Sequence, residues 1–122
     1  MHYLEELTER VYEVNKENGW YEEDRTFGDC IALLHSEVSE ALEAYRDFHD
    51  CNSRYDGLKQ VASPTAEEGG LPKPVGVDSE FADVLIRLVD SCRRYEIDLV
   101  RAVEEKLAYN TGRGYKHGGK KL

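Results

Sequence analysis

Cysteine and positive charge are both scarce in this 122-residue chain, and each shortage removes a class of protein. The three cysteines, Cys30, Cys51 and Cys92, are odd in number, widely spaced and form no CxxC. They indicate neither a disulfide framework nor a zinc site, and Cys30 and Cys92 read as buried, reduced thiols on apolar helix faces. Lys and Arg number 16 against 25 Asp and Glu, a net charge of −9. So acidic a chain lacks the basic surface that non-specific binding to nucleic acid or to an anionic membrane requires. No apolar run approaches membrane-spanning length. The first fifteen residues carry charges throughout and hold no apolar signal core, so the expected compartment is the cytoplasm. A Walker-type glycine loop is missing, as is any Ser–His or Cys–His nucleophile pair, which leaves covalent catalysis without support.

What is present is helix. Residues 2 to about 17 place Leu4, Leu7, Val11 and Val14 at three- and four-residue spacing, and Asn18-Gly19 supplies the stop. A connector with the sole tryptophan, Trp20, follows; its indole is either a core plug or a stacking surface for a base. Thr26 and Asp29 form a capping-box pair for a second helix over Phe27 to about Phe48. Its main apolar stripe is Phe27, Ile31, Leu34, Val38, Ala41 and Tyr45, with Glu37 on the flank and partly buried. Residues 50 to 77 are broken by Gly, Pro, Ser and Asn and read as a long loop inserted in a single domain spanning 1–122, with a short helical turn possible near Leu58 to Val61. A third helix begins near Asp78 or Ser79 and runs to about Tyr95, apolar almost all the way round and therefore expected to be buried on more than one side. Asp98 caps a fourth helix, with Leu99, Val103 and Leu107 as its stripe, ending near Asn110 or Thr111. A basic tail, 112–122, closes the chain. The fold class is all-α, four-helix-bundle-like, with the long loop between the second and third helices.

The chemistry sits in two acidic pairs. Glu37 with Glu40, and Glu80 with Asp83, are each three residues apart and so lie on one face of their helices. Two such ledges facing each other would repel unless a cation lay between them. Carboxylate oxygens suit Mg²⁺, held by a few acids plus waters and substrate phosphates. Asp83 inside an apolar helix needs a partner: a shared metal, or Arg87 four residues on. Lys106, Arg113 and the tail offer cations for phosphate oxygens. The set describes metal-assisted attack of water on a phosphoanhydride.

At these residues the sequence resembles the MazG-like, all-α nucleotide pyrophosphohydrolases. The likeness is carried by the ExxE pair in Ser36-Glu37-Val38-Ser39-Glu40 and the ExxD pair Glu80-Phe81-Ala82-Asp83. It continues through Lys106-Leu107-Ala108-Tyr109-Asn110 to Arg113 and His117-Gly118-Gly119-Lys120. The resemblance implies a MazG-type helical fold that assembles as a homodimer or homotetramer. It implies hydrolysis of a nucleoside triphosphate, ribo- or deoxy-, to the monophosphate and pyrophosphate. Glu37, Glu40, Glu80 and Asp83 map to ligands of Mg²⁺, or Mn²⁺ in its place, and are the implied catalytic residues. Lys106, Asn110 and Arg113 map to nucleotide contacts, and Trp20 to an aromatic against the base. Two departures stand out: Ser36 lies where many relatives carry a third acid, and the 39 residues between Glu40 and Glu80 exceed the usual spacer.

Two rivals remain. One is a non-catalytic helical oligomerisation or regulatory module whose acids are salt-bridged. The other is an HD-type phosphohydrolase built on His35, His49-Asp50 and a later Asp.

Overall fold

The structure, a computed structural model, describes residues 2–55 and 72–113. It is mostly helical: α1 (His2–Glu17), α2 (Phe27–Phe48), α3 (Val77–Arg94) and α4 (Leu99–Gly112), with two-residue strands β1 (Arg54–Tyr55) and β2 (Pro74–Val75) between α2 and α3. The turn expected near Leu58 to Val61 and the basic tail beyond Arg113, His117 included, lie outside the described residues. No described helix is long and apolar enough to cross a membrane.

Local chemistry explains the boundaries. The Thr26 hydroxyl accepts from the Asp29 N–H and the Asp29 carboxylate accepts from the Thr26 N–H, both at 3.0 Å, so α2 opens on the expected capping box. It ends at His49 in the left-handed conformation, whose N–H donates to the Tyr45 carbonyl. Asp98 caps α4 by accepting from the Arg101 N–H at 3.1 Å. α3 opens at Val77, just before the two expected caps. Its entry runs through Gly76 at φ +119°, where a Cβ would lie 2.7 Å from the Asn52 carbonyl oxygen, so only glycine fits. Asp78 instead accepts from Ser53 and from the Ser79 N–H. The 50–77 stretch is thus not wholly irregular: β1 and β2 pair antiparallel, Arg54 opposite Val75 and Tyr55 opposite Pro74.

The described residues form two compact units, to both of which α3 contributes. One draws on α1 with its connector to Glu23, α3 from Val89 onward, and α4; the other runs from Asp24 to Leu88. In the first, Val11, Val89 and Cys92 are buried together with three polar residues, Asn15, Asp90 and Ser91. Asn15 Nδ2 (3.1 Å) and the Tyr21 hydroxyl (2.7 Å) both donate to Asp90 Oδ1, and Arg94 Nε donates to Asp90 Oδ2 at 2.9 Å. Arg94 stacks over Tyr21, Arg93 over Tyr12, and the two tyrosines meet edge to face at 4.9 Å. The burial of Asn15 corrects the expected α1 stripe: Val14 is exposed, and the amide one residue on takes the inward position because it reaches Asp90. α4 buries no residue fully, and Leu107, expected on its inner stripe, is exposed.

The second unit holds the larger correction. The buried line of α2 is Cys30, Glu37, Ala41 and Ala44, whereas Phe27, Ile31, Val38 and Tyr45 of the expected stripe are exposed. α3 is likewise not enclosed: Phe81 and Leu85 face out. At 100° per residue the exposed stripe of α2 lies about a quarter-turn from the buried one. Small side chains line the side that approaches its neighbour; bulky ones are left outside.

Candidate metal centre

The small-residue line of α2 carries Glu37 into the interior of its unit, where it is 8% exposed. Glu40, one turn on, reaches the same place from a more open position. From α3, Glu80 comes to meet them. Donor oxygens of Glu37, Glu40 and Glu80 all lie within 4.8 Å of one another, the one such group of potential ligands among the described residues. Asp83 stands outside that set, close enough for its charge to act on Glu80 and Glu40. Three of the four expected acids thus converge and the fourth adjoins them.

Their protonation records the crowding. Burial, followed by the charges of Asp83 and Glu40, pushes the Glu80 carboxyl up to about 7. A hydrogen bond shared with Glu37, and then the charge of Glu37, raises Glu40. Burial and Glu37 raise Asp83, against the pull of Arg87 and Lys73. Glu80 Oε2 is buried and finds no hydrogen-bond partner among the described residues. A buried acceptor left open in this way costs free energy unless something positive engages it.

Two cations of this unit bear on the cluster. Arg87 Nε donates to Glu37 Oε1 at 3.2 Å. Sequence spacing offered Arg87 to Asp83; the structure directs its Nε across to α2. Glu80, Asp83 and Arg87 recur at three- and four-residue spacing and share one face of α3, so this link to the acids was readable from the period alone. Lys73, just before β2, acts electrostatically on Asp83, and no sequence signal ties it to an acid ten residues later.

Trp20, Lys106, Asn110 and Arg113 belong to the other unit, whereas His35, His49 and Asp50 lie in this one. Trp20 is half-buried in the connector, its N–H donating to the Asn15 carbonyl and its carbonyl accepting from Arg94 at 2.7 Å. Lys106 and Asn110 are exposed on α4, and Arg113 lies over the Tyr109 ring at 5.3 Å. His35 is exposed. His49 serves as the α2 cap, and Asp50 is held by both terminal nitrogens of Arg54 at 2.9 Å, so the His-Asp dipeptide is engaged in local structure.

No family model, curated protein or solved structure matches the chain. The functional reading therefore rests on the chemistry of the site and on the resemblance of its motifs.

Proposed function

We propose that this chain is a Mg²⁺-dependent nucleoside triphosphate pyrophosphohydrolase of the MazG-like kind, homo-oligomeric, converting a ribo- or deoxynucleoside triphosphate to the monophosphate and pyrophosphate. The observation that supports it best is the convergence of Glu37, Glu40 and Glu80 with a buried, unpartnered oxygen on Glu80. The residues fit a hard divalent cation: every donor is a carboxylate oxygen, and the group is over-supplied with negative charge. Glu37, Glu40 and Glu80, with Asp83 beside them, would hold it. Bound there, Mg²⁺ supplies charge neutralisation for phosphate oxygens and a lowered pKa for water.

The chain's own residues supply the rest. Arg87 orients Glu37 through its ion pair. A carboxylate of the cluster not fully engaged by the cation is suited to accept a proton from water. Lys73 adds positive charge on the side of Asp83. Lys106, Asn110, Arg113 and Trp20 enter this reading as nucleotide contacts on the strength of the sequence resemblance.

The test is product analysis with Mg²⁺ across a panel of ribo- and deoxynucleoside triphosphates. Expected is monophosphate plus pyrophosphate, reduced at least about 100-fold by Glu40→Gln in protein that remains folded. Release of orthophosphate would point to a different phosphohydrolase. A second reading has one observation in its favour: the Arg87–Glu37 ion pair is what a purely structural acidic pair would look like. Under that reading folded protein turns over no triphosphate, and Glu37→Gln changes stability alone.

A further inference from the structure

Between the β1–β2 pair and the first turns of α3 lies a cleft of about 270 Å³, lined by Tyr55, Pro74, Val75, Asp78, Ser79 and Ala82 among others. Its shape is held from several sides. The strand register sets Tyr55 opposite Pro74, the Ser79 hydroxyl donates to the Pro74 carbonyl at 3.0 Å, and Gly76 admits the Asn52 carbonyl where any Cβ would clash. The cleft belongs to the unit that holds Glu37, Glu40 and Glu80.

The polar groups of its lining are engaged within the chain. Ser53 donates to Asp78, Asp78 also accepts from the Ser79 N–H, and Asp50 holds both terminal nitrogens of Arg54. What remains for a ligand is apolar surface and the ring of Tyr55, 47% exposed. Such a lining receives a flat, uncharged ring by stacking rather than a phosphate. The volume agrees: it lies at the small end of ligand pockets, roughly 300 Å³, with room for one base and the phosphates outside.

From both walls the chain leads to the acids. Ala82 of the lining is followed by Asp83, a step of about 100° round α3. Pro74 is preceded by Lys73, an exposed residue whose charge acts on Asp83 and which makes no hydrogen bond or ion pair among the described residues. A cation left uncommitted beside an acidic cluster is placed to meet a phosphate drawn to that cluster.

We infer that the cleft takes the base of the nucleotide against Tyr55, and that Lys73 meets the phosphate chain where it passes from the cleft to the acids. The inference rests on the nucleotide reading of the acidic cluster. It adds contacts within the same unit, since Trp20, Lys106, Asn110 and Arg113 all belong to the other one. Base recognition then falls to the long segment between Glu40 and Glu80, the part of the chain that departs from the MazG-like pattern.

Binding by the full chain, kept apart from turnover, tests it. The probes are α,β-methylene nucleoside triphosphates, which cannot release pyrophosphate, and inorganic tripolyphosphate, which has no base. Each is titrated by calorimetry with Mg²⁺ present. Tyr55→Ala is expected to weaken the nucleotide analogues by roughly 5- to 100-fold, the loss of one base–aromatic stack, and to leave tripolyphosphate unchanged. Tyr55→Phe should bind as the wild type does. If the alanine variant fails to fold, Tyr55→Leu, which keeps bulk without a flat ring, should give the same separation. Lys73→Ala is expected to weaken both probes by roughly 10-fold or more, and Lys73→Arg to restore them. Unchanged nucleotide affinity in Tyr55→Ala, or an equal loss for both probes, overturns the base subsite, as does a wild type that binds neither. Tripolyphosphate binding that Lys73→Ala leaves intact removes the phosphate contact. Pyrophosphate release from ordinary triphosphates reports on the reaction separately: Tyr55-dependent binding without release keeps the cleft and removes the hydrolytic reading.

Discussion

Asp90 and Glu80 lie ten residues apart on α3, and their carboxyls are treated in opposite ways. Burial pushes Asp90 up, but donors from Tyr21, Asn15 and Arg94 outweigh it and hold the group below the usual carboxylate range. Glu80 meets burial without such donors: its neighbours are other acids, it is pushed up to about 7, and one oxygen has no hydrogen-bond partner among the described residues. Both arrangements place acid in low dielectric, where the charged form is costly unless compensated. At Asp90 the chain supplies the compensation, and the result ties α1 and its connector to the end of α3. Around Glu80 the nearby cations bear on other acids: Arg87 pairs with Glu37, and the charges of Arg87 and Lys73 act on Asp83. A satisfied buried carboxylate is architecture. A cluster of them without donors keeps an electrostatic cost that the chain itself does not remove.

Measurements that break one side at a time sharpen this contrast. The largest effect is expected for Asp90→Ala, which leaves Arg94, Tyr21 and Asn15 facing a void. Urea unfolding should show a loss of about 3–5 kcal/mol. The cation-dependent part comes next. Because the folded pKa of Glu80 lies above its unfolded value, the folded state binds its proton more tightly between pH 4.5 and about 7. Its contribution is therefore fully present below that window and is lost as pH rises through it. Without divalent cation, stability should fall across this range, and Glu80→Gln should flatten the fall. Mg²⁺ at 100 times its dissociation constant should restore about 2.7 kcal/mol at pH 7.5 in the wild type and far less in Glu80→Gln, a shift read by thermal melts. A slope that Glu80→Gln leaves unchanged would remove the contrast. The smallest effect is expected at Arg101, whose pairs with Asp98 and Glu105 are well exposed. Arg101→Ala should change stability by no more than about 0.5 kcal/mol, which sets the scale for ion pairs that water already screens.

Much of the secondary structure was legible because it is local. The Thr26–Asp29 box, the Asp98 cap and the Asn18-Gly19 stop act within one turn of the chain, so the ends of α1, α2 and α4 follow from neighbouring residues. The acidic pairs were legible for the same reason: three-residue spacing puts two carboxylates on one face whatever else the fold does. Which apolar stripe faces inward was not. α2 carries two, a quarter-turn apart, and hydrophobicity alone ranks the bulky one first. Close approach to a neighbouring element selects Cys30, Ala41 and Ala44, since small side chains let Glu37 and Arg87 meet at 3.2 Å. Asn15 was missed on a related ground. A polar residue reads as solvated until its distant partner is known, and Asp90 is 75 positions away.

Residue order alone was enough for helix content, three of the four helix starts and the spacing of the acids, since each depends on interactions within about one helical turn. Convergence of Glu37, Glu40 and Glu80, the pairing of Arg87 with Glu37, the open oxygen of Glu80 and the exposure of the Val38 stripe came only with the folded chain. Those features depend on which surfaces approach across long stretches of sequence, and a carboxylate is neither satisfied nor orphaned until the groups around it have arrived.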